Sequence, residues 1–400
     1  MVKSDIERQL HLREMELNSL LEITQAINAN IPEESLYKIY HFTTIASLHV
    51  KKLALYVWEE KWNCKVNYGS SREYRNQPLD EKVVEVNKIS RHSGEYPDFR
   101  EFDVIIPIVH KNIPLAFVFL SGDELEEISD TSFIQTFTSI LIVAIENKKL
   151  ARKQLQQEVL RKELEIARDV QTMLFPKSLP NTETIRINAT YLPHSSVGGD
   201  YYDYIPLDND RFLVCIADVS GKGVSAALLM SNFQASLRTL TRKTSDLKEM
   251  IKELNGLIRN NARGDRFITF FLASFDPEKN ELHYINAGHN PPVLLNEKGE
   301  TKILDKGTIV LGAFENLPFI EEEILKIEKP SLLFAYTDGL PETSNEKDEE
   351  YGLQNLEIFL KKNWKSPLEE LHVLLQKELT EYKGIKSFPD DITYVSCVIG

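Results

Sequence analysis

Cysteine is nearly absent: Cys64, Cys215 and Cys397 are the only three in 400 residues. None stands in CxxC spacing, which excludes a disulfide framework and a zinc site of that type. Cys215 and Cys397 sit inside apolar runs, FLVCIADV and TYVSCVIG, where a thiol acts as a small buried hydrophobe. A reducing compartment is the expectation. Long apolar runs are missing too. The longest, ILIVAI at Ile140 to Ile145, falls far short of the ~20 residues that cross a bilayer. The charged N-terminus MVKSDIERQLHLREMEL lacks the apolar stretch of a secretory signal, so a cytoplasmic location is expected. Positive charge is in deficit: 47 Lys and Arg against 61 Asp and Glu leave a formal charge of −14. Such a balance disfavours nucleic acid and anionic membrane as partners and suits metal cations.

What is present divides into segments. LNSLLEITQAINANI and SLYKIYHFTTIASLH carry apolar residues at helical spacing. KKLALYVWEE and KWNCKVNYGS read as two strands, and DVIIPIVHKNIPLAFVFLSGD as a hairpin around Lys111-Asn112. Helices on both sides of a small antiparallel sheet make an α+β domain. This order resembles a GAF domain, a sensor module, over residues 1–148; the resemblance implies a small ligand without identifying it. Residues 149–175 are rich in Lys, Arg, Glu and Gln and free of Gly and Pro before Pro176. Two imperfect heptad seams run through them, Leu155, Val159, Ile166, Met173 and Leu160, Leu164, Ala167, Leu174. The segment is either a solvated helix or a coiled-coil-like signalling linker; the apolar stripe favours the linker and a homodimer.

After Phe175-Pro176 come short strand-like runs, with helical stretches at Val224 to Arg242, Asp246 to Asn261, Leu353 to Asn363 and Ser366 to Tyr382. Most strands follow one another directly, which predicts antiparallel sheets covered by helices. Aspartates close four of the runs: VGGDYYDY (Asp200, Asp203), IADVSGKG (Asp218), YTDGLPE (Asp338) and FPDDITYV (Asp390, Asp391). A carboxylate at a sheet rim is half desolvated, and several brought together repel until a divalent cation offsets them. Oxygen ligands without His or Cys select magnesium or manganese over zinc or copper. The neighbouring glycines let ions and substrate approach the backbone. Singly each motif is explained by a turn or a cap. Gly221-Lys222 is not a P-loop, since the upstream glycine is missing and Gly223 replaces the required Ser or Thr.

Together and in this order, GGD-x-Y-D, D-V-S-G-K-G, T-D-G and D-D-x-T resemble the metal-dependent PPM-class serine/threonine phosphatases of SpoIIE/RsbU type, over residues 176–400. NAGHNPP at Asn286 to Pro292 and ELEIARDVQTMLFP at Glu163 to Pro176 fit the same family. The resemblance implies an α-β-β-α sandwich with two Mn(2+) or Mg(2+) ions at one end. Asp218 bridges the ions, and the Val219 carbonyl and Asp200 serve one of them. Asp338 and Asp390 hold the other, while Asp391 is either a ligand or a buttress of the turn. Asp203 supports these ligands from behind, His289 holds a loop, Leu228 and its apolar neighbours anchor the following helix to the core, and Lys222 is either a phosphate contact or exposed. The implied activity is that of a phosphomonoester hydrolase, with a metal-bridged hydroxide attacking phosphoserine or phosphothreonine. The implied substrate is a phosphorylated STAS-domain anti-sigma-factor antagonist in a partner-switching pathway. A non-catalytic scaffold and a small-molecule phosphatase remain the alternatives.

Overall fold

A computed structural model describes residues 2–48, 50–91, 96–111, 113–122, 128–208, 210–262 and 265–399. The chain divides into two compact units, Met1–Glu158 and Val159–Gly400. The division falls inside a single long helix, within the segment expected to act as a linker.

In the first unit, helices α1 (Val2–Asn28) and α2 (Glu33–Leu48) precede strands β1 (Lys52–Glu59) and β2 (Lys61–Tyr68). A short helix α3 (Glu81–Val84) follows, then β3 (Ser90–Arg91), β4 (Val104–His110), β5 (Ile113–Ser121) and the long helix α4 (Ile128–Thr172). The sheet order is β2-β1-β5-β4-β3, antiparallel throughout. β4 and β5 are the expected hairpin, pairing up to His110 with Ile113; Asn112 of the predicted turn lies outside the described residues. Alternation along β1 sends Leu53, Leu55 and Val57 toward Tyr40 of α2 and Phe137 of α4. Ala54 and Tyr56 go to the other face, where Phe99 and Phe119 stack with ring centroids 4.3 Å apart.

The second unit contains β6 (Ile185–Leu192), β7 (Tyr201–Pro206), β8 (Phe212–Val219), α5 (Val224–Leu240), α6 (Leu247–Ala262), β9 (Ile268–Asp276) and β10 (Glu281–Ala287). Then come β11 (Val293–Asn296), β12 (Thr301–Ile303), β13 (Gly307–Thr308), β14 (Glu323–Lys326), β15 (Ser331–Tyr336), α7 (Gly352–Asn363), α8 (Leu368–Lys383) and β16 (Ile392–Ile399). One sheet runs β13-β10-β9-β8-β7 with β14 beside β10, and the other β12-β11-β15-β16-β6. Strand β8 shows why its sequence is apolar without a break. Leu213, Cys215, Ala217 and Val219 pack under α5 and α6, whereas Phe212, Val214 and Ile216 enter the layer between the sheets, against Val395 and Cys397 of β16. Helices α7 and α8 cover the second sheet through Leu356, Leu360, Leu371 and Leu375. The result is helix, sheet, sheet, helix.

His372 on α8 is pinned between the Oγ atoms of Thr190, 2.7 Å from Nδ1, and Ser396, 2.8 Å from Nε2. Burial pushes its pKa down to about 3. The unfolded chain takes up a proton near pH 6.5 and the folded chain does not, so stability falls as pH drops below that value. At pH 5.5 the loss from this group is about 1.4 kcal/mol. Urea midpoints measured at pH 7.5 and 5.5 check it, with a His372→Gln variant expected to lose that part of the pH dependence.

Candidate metal centre

Strand pairing brings the four motifs to one end of the sandwich. Tyr201 faces Ala217 across β7 and β8, which sets Asp200 beside Asp218. Tyr336 faces Tyr394 across β15 and β16, so Asp338 leaves its strand where Asp390 and Asp391 enter theirs. Each aspartate thus sits where an apolar strand meets a loop.

Their environments differ. Asp200 is 1% exposed, and its Oδ2 accepts hydrogen bonds from the hydroxyls of Thr337 (2.8 Å) and Thr393 (2.5 Å) of the opposite sheet. Burial, and then the charge of Asp218, holds its carboxyl well above the usual range. Asp218 is pushed up to about 7 by burial and by the carboxylates of Asp338, Asp390 and Asp391. Asp338 is raised by burial and by Asp390. Asp391 is raised by burial against the opposing effect of two backbone amides: His194 N donates to Oδ1 at 2.7 Å and Gly199 N to Oδ2 at 2.9 Å. Asp390 is partly exposed; its Oδ2 pairs with Lys222 Nζ at 2.9 Å and its Oδ1 accepts from Asp391 N at 2.8 Å. The Val219 carbonyl lies against Gly199, where a Cβ would come within 2.8 Å of the oxygen.

The turn after Asp218 is held by Arg266. Its Nη1 donates to Ser220 O at 2.6 Å and its Nη2 to Ser225 Oγ at 2.9 Å. Gly221 has φ +94°, and a Cβ there would be 1.9 Å from Arg266 Nη1, so this close approach requires glycine. Lys222 is not idle: besides Asp390 it donates to Pro389 O at 2.9 Å, tying this turn to the loop before β16.

Two supporting assignments change. The apolar neighbours of Leu228 anchor α5 but Leu228 itself does not: it is 62% exposed, and the buried face is Ala226, Leu229, Met230, Phe233 and Leu237 at helical spacing. Asp203 is fully buried on the α5 side of β7, where Arg238 grips both its oxygens at 2.8 and 2.9 Å and Tyr201 donates at 2.5 Å. It fixes α5 to the sheet. His289 is buried, bonded through Nδ1 to Thr269 Oγ1 at 2.9 Å, and holds its loop through its own N–H on Asn286 Oδ1 at 2.7 Å.

Sequence pattern did not single out Gln171, in the last turn of α4. It is 4% exposed, its Nε2 donates to Gly198 O at 2.7 Å and its Oε1 accepts from Gly198 N at 3.3 Å. One amide therefore clamps the backbone two residues before Asp200. Arg266 and Glu342, whose carboxyl is raised by burial and by Asp338, also escaped notice, and Thr337 and Thr393 stood in the T-D-G and D-D-x-T motifs without a role of their own. A polar residue buried within a polar helix segment was the available signal for Gln171.

Among the described residues no three Asp, Glu, His or Cys side chains already converge on a single ion position. The chemistry of the donors nonetheless suits a divalent cation: all are oxygens, and Asp218 is raised by burial and then by the repulsion of the three carboxylates that face it. A cation among them removes that repulsion. Asp218, Asp338 and Asp390 have oxygens for this role, whereas both oxygens of Asp391 are already held by backbone N–H groups.

Comparison with known proteins agrees with this layout. Residues 208–398 match the family described as Stage II sporulation protein E (SpoIIE). Protein IcfG of Synechocystis sp. is 30% identical over 276 residues, which cover 62% of this chain and 43% of that protein. Phosphoserine phosphatase RsbU of Bacillus subtilis is 31% identical over 193 residues, covering 48% of this chain and 57% of RsbU. The chain thus spans about half the length of these relatives. The SiaA-PP2C domain of Pseudomonas aeruginosa superposes with a TM-score of 0.54 at 21% identity, over 61% of this chain and 99% of that domain, which shows a shared fold. With its four aspartate motifs at one end of a PP2C-like sandwich, the C-terminal unit is similar over residues 208–398 to the SpoIIE family.

Proposed function

We propose that the protein is a metal-dependent serine/threonine phosphoprotein phosphatase whose substrate is a phosphorylated STAS-domain anti-sigma-factor antagonist in a partner-switching pathway. The observation that carries this reading is geometric: strand pairing brings Asp200 and Asp218 of one sheet to the same rim as Asp338 and Asp390 of the other, and the charges of Asp338, Asp390 and Asp391 all bear on Asp218. RsbU, named a phosphoserine phosphatase, is among its relatives. Asp218, Asp200, Asp338, Asp390 and the Val219 carbonyl would hold two Mn(2+) or Mg(2+) ions, with Asp391 shaping the loop beneath. The ions supply an activated water at neutral pH and neutralise the phosphoryl oxygens. The protein's own part is to fix the carboxylates: Thr337 and Thr393 orient Asp200, and Lys222 steers Asp390. Release of phosphate from a phosphoserine STAS protein in manganese, faster than from small phosphate esters, is the expected result; turnover of small esters alone would sink the substrate assignment.

Regulation by the N-terminal unit is part of the same proposal. We assign residues 1–148 a GAF-like sensing role and residues 149–175 the role of signalling linker, in the cytoplasm, where the three free cysteines stay reduced. Leu155, Val159, Leu160 and Ile166 are exposed on α4 and Met173 just beyond its end, and pairing with a second copy in a coiled coil would cover the helical ones. Among the described residues no helix is long and apolar enough to cross a membrane. Gln171 is the point where α4 meets the site. Gln171→Ala is expected to raise the manganese concentration for half-maximal activity by about tenfold and to lower the melting temperature, because the buried N–H and C=O of Gly198 lose their partner. Equal manganese titrations for the two proteins would remove Gln171 from this role.

A further inference from the structure

The first unit contains a cavity of about 750 Å³ between α2, the β1–β2 edge of the sheet and α4, a volume typical of small-molecule sites. Two polar atoms on its wall are buried without a hydrogen-bond partner, Tyr37 Oη and His41 Nε2. The Tyr37 residue is only 8% exposed. An unsatisfied buried polar group costs about 1–3 kcal/mol, and a ligand that completes it recovers that loss.

The charges on the wall specify what the ligand is. Glu59 is already paired with Lys65 and Lys149, and Glu33 with Lys149. Lys38, Arg75 and Arg152 also line the cavity, and among the described residues they form no ion pair; Glu34 is the one lining carboxylate left to face them. Burial and the neighbouring Arg75 hold His41 below its ordinary pKa, so it adds a neutral ring. Burial and then the carboxylates of Glu33 and Glu59 push Tyr37 far up, so it keeps its proton; Glu33 approaches the hydroxyl without closing a hydrogen bond of good geometry. Every uncommitted group except Glu34 and the imidazole is therefore a donor, most of them cationic, which calls for an acceptor-rich anion. The opposite face of the sheet is packed by Tyr56, Tyr74, Phe99, Phe102 and Phe119.

We infer that this cavity binds a small organic anion, its phosphate or carboxylate held by Arg75, Arg152 and Lys38 and its body meeting Tyr37 and His41. This site is independent of the phosphatase reading and stands whether or not that reading does.

Calorimetric titration of the full chain with pyrophosphate and, separately, citrate, at low ionic strength and without divalent metal, tests it. Saturable binding of one molecule per chain by at least one probe is expected, and the stronger probe tells phosphate from carboxylate. Arg75→Glu with Arg152→Glu is expected to weaken that binding at least tenfold while the exposed positions leave the melting temperature unchanged. Tyr37→Phe deletes only the unpartnered hydroxyl. It is expected to melt no lower than the parent chain and yet to lose several-fold in affinity, a combination that a structural tyrosine would not produce. Absence of saturable binding, or binding that survives both arginine replacements, overturns the inference.

Discussion

Asp218→Asn is expected to lower phosphatase turnover by about 10³-fold or more while leaving the metal-free chain at least as stable as the parent. Both halves of this result come from one environment. Asp218 is raised to about 7 because it is buried and faces Asp338, Asp390 and Asp391. As pH rises from the ordinary aspartate value toward 7, the unfolded chain gives up the proton earlier than the folded one, and the metal-free fold loses stability over that window. An uncharged asparagine of the same size removes the penalty. It also removes the central carboxylate on which the proposed ion pair depends. Melting curves with and without manganese, beside hydrolysis of p-nitrophenyl phosphate and of a phosphoserine protein, read both effects. A parent chain stabilised by manganese and a variant indifferent to it is the expected pattern. Unchanged turnover in the variant would end the two-metal mechanism.

The adjacent aspartates are expected to part company. Asp391→Ala leaves the amides of His194 and Gly199 without their acceptor, at a cost of about 1–3 kcal/mol for the buried Gly199 N–H, and the chain melts below the parent. Asp390→Ala removes a partly exposed carboxylate that holds Lys222 and one backbone amide. It leaves stability nearly intact but shifts the manganese concentration for half-maximal activity upward by more than about tenfold. Manganese titrations and thermal melts on the two variants separate ligand from buttress. The reverse pattern, with Asp391→Ala stable and manganese-starved, would exchange the two roles.

How much of this was legible from residues follows a physical division. The rim aspartates announce themselves because charge at the end of an apolar run is locally anomalous. The four helices of the C-terminal unit were predicted within about two residues at most ends because their apolar faces repeat with the helical period. Strands β12, β13 and β14, of three, two and four residues, are too short to show alternation and were missed. Leu228 was misjudged because an Ala/Leu-rich stretch hides which face of α5 is buried; only the sheet beneath decides it. Gln171 with Gly198, Asp203 with Arg238 and Asp200 with Thr393 are joined across 27, 35 and 193 positions of sequence. Such pairs exist through topology, and no local pattern encodes them.

The layer between the two sheets has a role beyond cohesion. Asp200 and Asp218 ride on one sheet and Asp338 and Asp390 on the other, so the gap between the two pairs is set by the thickness of side chains such as Ile216, Phe271, Val395 and Cys397. The sandwich behaves as a caliper whose jaws are the aspartates and whose stop is the hydrophobic filling. A larger or smaller residue at Cys397, in the filling rather than at the rim, would open or narrow the jaws, and under the proposed metal binding the choice between a smaller and a larger cation would then depend on the volume of the core.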